Sequence, residues 1–252
     1  MYSINIVEDT VINAEGFRLI SETSYQFHPT VKKAELWSKG ERDKNGKLTR
    51  YNLFCIAYHD NKVKQVSWKN YNPQYYRSAI CISYDGQLLF LPDYEKGIIA
   101  IEISTSCIFA RYNIKHVFSI WVTENSLLCL HKENNRMLTR LNYRSNTIVE
   151  DKKSNGLYVL PLSAHCILYK KDCEHYTLAN SDNLSVSMDV TISEWFDVHD
   201  DNINISRATV TPEHIEVEYF YTDETDNRKL LNGKKIIPCS CEIRNFINDM
   251  ES

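Results

Sequence analysis

The stretch FDVHDDN gathers Asp197, His199, Asp200 and Asp201 within five residues, a density of carboxylate and imidazole donors that could hold a divalent cation. Its spacing matches no metal-site pattern, and Asp and Asn are what turns select, so the segment reads as a solvated acidic turn. YTDETDN places Asp223, Glu224 and Asp226 between a Tyr-rich strand and a basic one and reads as an exposed hairpin tip. Cys239 and Cys241 in CSC sit on alternate residues of a strand with no second Cys or His pair nearby, so they read as structural thiols rather than a metal or redox site. The eight histidines are scattered singly, and a lone His is more often a hydrogen-bonded structural residue than a base. The chain has no G-x-S-x-G elbow, phosphate loop, H-E-x-x-H helix or EF-hand loop.

The polar stretch richest in recognition chemistry is VSWKNYNPQYYRS, where Trp68, Tyr71, Tyr75, Tyr76 and Arg77 interleave with Lys69 and several amides. An Asn-Pro-Gln turn between aromatics reads as a loop, and Trp, Tyr and Arg are the side chains most enriched at binding hot spots. These five residues are the expected partner-binding set, the competing reading being that Trp68 and one or two of the tyrosines close the gap between adjacent sheets with their polar tips at the surface. Base stacking on single-stranded nucleic acid would need a broader basic groove than this chain offers. The basic run KGERDKNGKLTR is interrupted by Glu41 and Asp43 and centred on a turn, so it reads as a solvated hairpin tip.

The elements that must position these residues are strands. AICISYDGQLLFLP, FSIWVTENSLLCLH and LYVLPLSAHCILYK each pair two apolar runs around a polar turn, near Asp85, Asn125 and Ala164, at separations of 40 and 39 residues. Each unit continues with a second turn (DYEKG, KENNR, KKDCEH) and a third (STS, YRSN, NSDN), which predicts four short strands per unit at the roughly 40 to 50 residue period of propeller blades. The same step taken backwards from Asp85 reaches Asn45-Gly46 and the neighbourhood of Asp9, and taken forwards reaches Asp201-Asn202. About six units follow, with a final hairpin expected at Asn232-Gly233. Helix signals are confined to a turn or two in INAEGFRLISETS and to the C-terminal CEIRNFINDMES, where Ile243, Phe246, Ile247 and Met250 recur at helical spacing.

LLFLPDYEKGIIAIEISTSCIFARY resembles the repeat of propellers of the pyrroloquinoline-quinone-type and WD-repeat superfamilies, in which a strand, an acidic or Gly turn and a second strand recur. The resemblance covers Ala79 to Asp189 and lacks Gly-His and Trp-Asp pairs and a Thr-Gly after IAIEIS, so no cofactor residue carries over from it. It implies a scaffold of radially arranged four-stranded sheets with loops at two rims.

Composition bounds the rest. Only 7 Gly and 6 Pro in 252 residues leave little material for glycine-rich loops, and 16 Tyr favour strands. A net charge of −4 lacks the basic excess of a nucleic-acid binder. The amino-terminal MYSINIVEDT shows neither a basic nor an apolar leader region, and apolar runs such as LYVLPL are too short to span a bilayer, so a cytoplasmic location with no membrane or nucleic-acid partner is expected. The eight cysteines read as reduced core residues. The sequence thus predicts a single all-β domain over 1–252, a β-propeller or propeller-like array of about six four-stranded units with a short C-terminal helix, a sandwich or barrel being the alternative. Its expected role is that of a non-catalytic protein-binding module without cofactor or metal, in its narrowest form an immunity protein neutralising a bacterial toxin. The competing expectation is a propeller hydrolase acting on glycans through a carboxylate pair, with side chains roughly 5 to 10 Å apart in one deep pocket.

Overall fold

Short runs of Ile, Leu, Val and Tyr bounded by Asp, Asn, Ser and Gly fold locally into antiparallel hairpins, and successive hairpins merge into sheets whose strands lie in sequence order. The computed structural model describes residues 3–251 apart from 8–9, 14–15, 26, 70–80, 94–95, 134, 197–202, 212 and 223–229. The chain forms two compact units, Met1–Val117 and Phe118–Ser252.

In the first unit, β1 (Ser3–Val7) and β2 (Thr10–Asn13) make a two-stranded sheet. The first blade is β3 (Arg18–Ser24), β4 (Val31–Arg42), β5 (Leu48–Tyr58) and β6 (Val63–Lys69), and the second is β7 (Cys81–Ile82), β8 (Leu88–Asp93), β9 (Gly97–Glu102) and β10 (Cys107–Tyr112). Strands β8 and β9 are apolar on both faces because both faces are covered. One face, with Leu89, Leu91, Ile99 and Ile101, packs on Val31, Ala34, Leu36, Phe54 and Ile56 of the first blade, each fully buried aliphatic side chain contributing about 1.5–3 kcal/mol.

The seam between these two blades is fastened by His28, which is 5% exposed. Its Nδ1 accepts the backbone N–H groups of Val31 (3.0 Å) and Thr30 (3.2 Å), which fixes the other nitrogen as Nε2–H, donating to the Ser83 carbonyl at 3.0 Å in the first turn of the second blade. The Tyr58 hydroxyl donates to the Gly86 carbonyl at 2.8 Å across the same seam. Ser83 closes that turn, its Oγ accepting the Leu88 N–H at 2.8 Å while Gly86 adopts φ +71°.

In the second unit, the third blade is β11 (Val117–Val122), β12 (Ser126–Glu133), β13 (Asn135–Asn142) and β14 (Thr147–Lys153), and the fourth is β15 (Val159–Pro161), β16 (Cys166–Lys170), β17 (His175–Asn180) and β18 (Asn183–Thr191). After α1 (Ile192–Phe196) comes a three-stranded fifth blade, β19 (Asn204–Val210), β20 (His214–Thr222) and β21 (Leu230–Pro238), and then α2 (Cys241–Glu251). Strand β16 alternates between two cores: Ile167 and Tyr169 face Leu128, Leu130 and Leu138 of the third blade, while Cys166 and Leu168 face Ile205, Ile215, Val217 and Ile237 of the fifth together with Ile243 and Ile247 of α2.

The fold is all-β and built of propeller blades, and the three turns expected in each of the second, third and fourth blades are where the sequence placed them. Among the described residues the count is five rather than about six. Strands β4 and β5, of 12 and 11 residues, absorb length that a uniform step assigns to another unit. For the same reason Asn45-Gly46 turns the middle hairpin of its blade, not the first. Asn232-Gly233 is no hairpin: both residues lie inside β21, opposite Phe220 and Tyr219. Gly233 is there for close approach, since a Cβ would come 2.5 Å from the Tyr219 ring. INAEGFRLISETS supplies strand β3 rather than helix, its side chains pairing across to β4. Asp9 and Asp201-Asn202 fall outside the described residues.

The C-terminal helix forms as its periodicity predicts, with Ile243 and Ile247 buried. Ser240 caps it, its Oγ accepting the Ile243 N–H at 3.2 Å. Ser240→Ala is expected to cost about 1 kcal/mol, measurable as a lowered urea midpoint at unchanged slope. Among the described residues no helix is long and apolar enough to cross a membrane.

Candidate functional site

Alternation along the fifth blade, offset by an irregularity between Ile205 and Arg207, gives it two unlike faces. Ile205, Ile215, Val217 and Ile237 turn into the core, and Arg207, Thr209, Glu216, Glu218, Lys234 and Ile236 line the opposite side. Cross-strand register sorts the outer side chains into two rows, Arg207–Glu218–Lys234 and Thr209–Glu216–Ile236. The rows flank a shallow concavity of about 550 Å³. The first row alternates in charge, with Lys234 Nζ 2.6 Å from Glu218. In the second, His214 Nε2 lies 3.2 Å from Glu216 and Ile236 is 62% exposed, the most exposed large apolar side chain among the described residues.

Glu216 and Glu218 share a face two residues apart, about 7 Å at strand spacing, so their separation alone falls in the range of a glycosidase carboxylate pair. The hydrogen bond and charge of Lys234 hold the Glu218 carboxyl below the usual range, which fits the ionised member of such a pair and not its general acid, which must stay protonated near neutrality. The concavity is about half open to solvent, whereas a reacting glycoside is shielded from water.

Of the partner-binding set expected from sequence, only Trp68 lies among the described residues. Trp68 is half-buried on β6, packed against the core shared by the first two blades, and its carbonyl accepts Asn52 Nδ2 at 3.1 Å. Tyr71, Tyr75, Tyr76 and Arg77 lie outside the described residues, as do the acidic positions 197–201 and 223–226. All eight thiols are free; Cys55, Cys81, Cys129, Cys166 and Cys239 are buried, and Cys107, Cys173 and Cys241 are exposed. Burial pushes the thiols of Cys55, Cys81 and Cys166 up to about 12, which keeps them protonated and unreactive. No group of three His, Cys, Asp or Glu among the described residues is placed to hold a metal ion.

Two polar rows, each with a buried threonine and an exposed carboxylate, recur one repeat apart. In the third blade His131 Nε2 donates to Thr139 Oγ1 at 2.8 Å, and Thr139 donates to Asp151. In the fourth, Tyr169 hydrogen-bonds Thr177, whose hydroxyl donates to Asp189 at 2.7 Å. The first row contains the residue types of a nucleophile, base and carboxylate, but its Thr proton goes to the carboxylate rather than to the imidazole, and Thr139 is buried beyond a substrate's reach. Both rows therefore tie three strands of one blade together.

Sequence reasoning missed the outer face of the fifth blade. The usable signal was the alternation in EHIEVEYFY and RKLLNGKKIIP, in which Glu216, Glu218, Lys234 and Ile236 occupy one parity and Ile215, Val217 and Ile237 the other.

No family model matches the chain, and no curated protein matches it. Among solved structures, the WD40 domain of Neurospora crassa Pan2 is similar to it with a TM-score of 0.47 and 8% sequence identity, over 87% of this chain and 79% of that one.

Proposed function

We propose that this protein is a non-catalytic module that binds another protein, and that the outer face of the fifth blade is its contact surface. The observation that carries the proposal is the asymmetry of that sheet: one side sits in the second unit's core, and the other presents two ordered cross-strand rows, alternating charges beside exposed Ile236, with no enclosed pocket. Aliphatic and cationic side chains interleaved on a rigid strand scaffold suit protein recognition better than turnover. The narrower form of this reading, an immunity protein neutralising a toxin, draws its support from the small size, the near-zero net charge of −4 and the rigid presentation of the face.

The test is quantitative affinity purification from the native host with the tagged chain and with a variant carrying Arg207→Glu, Lys234→Glu and Ile236→Asp. All three positions are exposed, so the variant is expected to keep its thermal midpoint within a few degrees. A protein retained by the wild-type chain and lost by at least tenfold from the variant supports the proposal. Equal retention by both, or turnover of a glycan library by the purified chain, overturns it.

A further inference from the structure

The fifth blade is one strand short. Blades one to four each pair four strands, whereas the fifth ends at β21, and among the described residues no strand lies beyond it. The last strands of the second, third and fourth blades carry register shifts, at Ile108/Ala110, Arg140/Leu141 and Ala179/Asn180, that interrupt their pairing. Strand β21 has none: it pairs with β20 through nine consecutive residues, from His214 opposite Pro238 to Thr222 opposite Leu230.

The direction of its free backbone groups follows from two hydrogen bonds. Cys239 N–H donates to the Glu213 carbonyl at 3.1 Å, and Thr211 N–H to the His214 carbonyl at 2.8 Å. In an antiparallel ladder the bonded pairs recur every second residue, so odd-numbered residues of β21 bond to β20, and the amides and carbonyls of Asn232, Lys234 and Ile236 point to the open edge. Pro238, which has no N–H, falls in the same outward set, the one place a sheet tolerates it.

We propose that this edge receives an extended strand from a partner protein, completing the fifth blade by antiparallel β-augmentation, and that the incoming strand is acidic opposite Lys234 and apolar opposite Ile236. This deepens the proposed function and rests on it. The side-chain chemistry comes from the two rows. Arg207, Glu218 and Lys234 alternate in sign, so the next position along that row favours a carboxylate, and the row ending in Ile236 favours a β-branched or aromatic neighbour. The side chain of Lys234 is 81% exposed and can meet a second carboxylate while keeping Glu218. A second copy of the chain fits the edge poorly, since pairing β21 with itself about its centre sets Lys234 opposite the other copy's Lys234, and like charges directly opposite destabilise a sheet. Main-chain bonds at three outward residues supply affinity, and the two rows supply register.

The experiment uses the full chain and a synthetic peptide, VITEVTV, whose Glu falls opposite Lys234 and whose Ile falls opposite Ile236 in antiparallel register. Fluorescence anisotropy measures affinity, and hydrogen exchange follows the amides of residues 232–236. The expected result is saturable binding that slows exchange at those amides and is lost when alternate peptide nitrogens are methylated. Lys234→Glu should weaken the Glu peptide about threefold and strengthen a Glu→Lys peptide by a similar factor. Equal binding of the methylated peptide, unchanged exchange at the edge, or edge protection that rises with protein concentration without peptide, the mark of self-pairing, each overturns the proposal. The purification above separates the two levels: if its partner depends on Arg207, Lys234 and Ile236 while the peptide leaves the edge amides unprotected, the face binds through side chains and strand addition alone fails.

Discussion

His28→Ala is expected to lower stability by about 3 kcal/mol at pH 7.5, a fall of about 6–12 °C in thermal midpoint for a chain of this size. The substitution removes the acceptor for Val31 N–H and the donor to the Ser83 carbonyl and empties the ring's place between Tyr25 and Tyr84, all at the seam of the first two blades. The effect also has a pH signature. Burial holds the His28 imidazole below its ordinary value of 6.5, with nearby His59 acting in the same direction and hydrogen bonds to the Ile82 and Ser83 carbonyls and the charge of Asp85 opposing it. Because the folded pKa is depressed, the unfolded chain binds a proton first as pH falls. The stabilisation by neutral His28 is therefore whole above about 6.5 and drains away as pH drops from there towards the folded value. Melting curves at pH 7.5 and 5.0 should show wild type and variant drawing closer at the lower pH; an undiminished gap would show that His28 fastens the seam in either protonation state.

Gly97→Ala should cost about 3–4 kcal/mol. Gly97 opens β9 with φ +90°, and a Cβ there would stand 2.1 Å from the Tyr112 carbonyl oxygen, a backbone atom of the adjacent strand that cannot swing aside. Gly46 is the internal control: its φ is +78°, but nothing lies within 4 Å of an added Cβ, so Gly46→Ala carries only the backbone strain, about 1 kcal/mol. Urea unfolding of the two variants side by side checks the ranking, and similar midpoints would mean that the Tyr112 strand gives way.

These residues also show what sequence could and could not disclose. The turns near Asp85, Asn125 and Ala164 were legible because turn chemistry is local: Ser83, Asp85 and Gly86 close their hairpin with their own side chains and backbone. Helix α2 was legible because Ile243, Phe246, Ile247 and Met250 share one helical face and Ser240 can cap it. Asn232-Gly233 misled because the dipeptide looks the same in a turn as beneath an aromatic ring; only Tyr219, on the neighbouring strand, decides the matter. His28 gave no signal because its partners at Ile82 and Ser83 are more than fifty residues away in sequence. The candidate face was legible in parity but not in meaning, since Arg207, Glu218 and Lys234 form a row only once three strands are in register.

A chain that works by binding a protein at its fifth blade must bury that blade in the complex. The most direct measurement is hydrogen exchange of the purified chain, alone and in complex with the protein it retrieves from its native host. Slowed exchange is expected to concentrate in residues 204–238, strongest along β21. Protection confined to residues 68–77 instead, around Trp68, Tyr75 and Tyr76, would contradict it and make the aromatic stretch the contact surface.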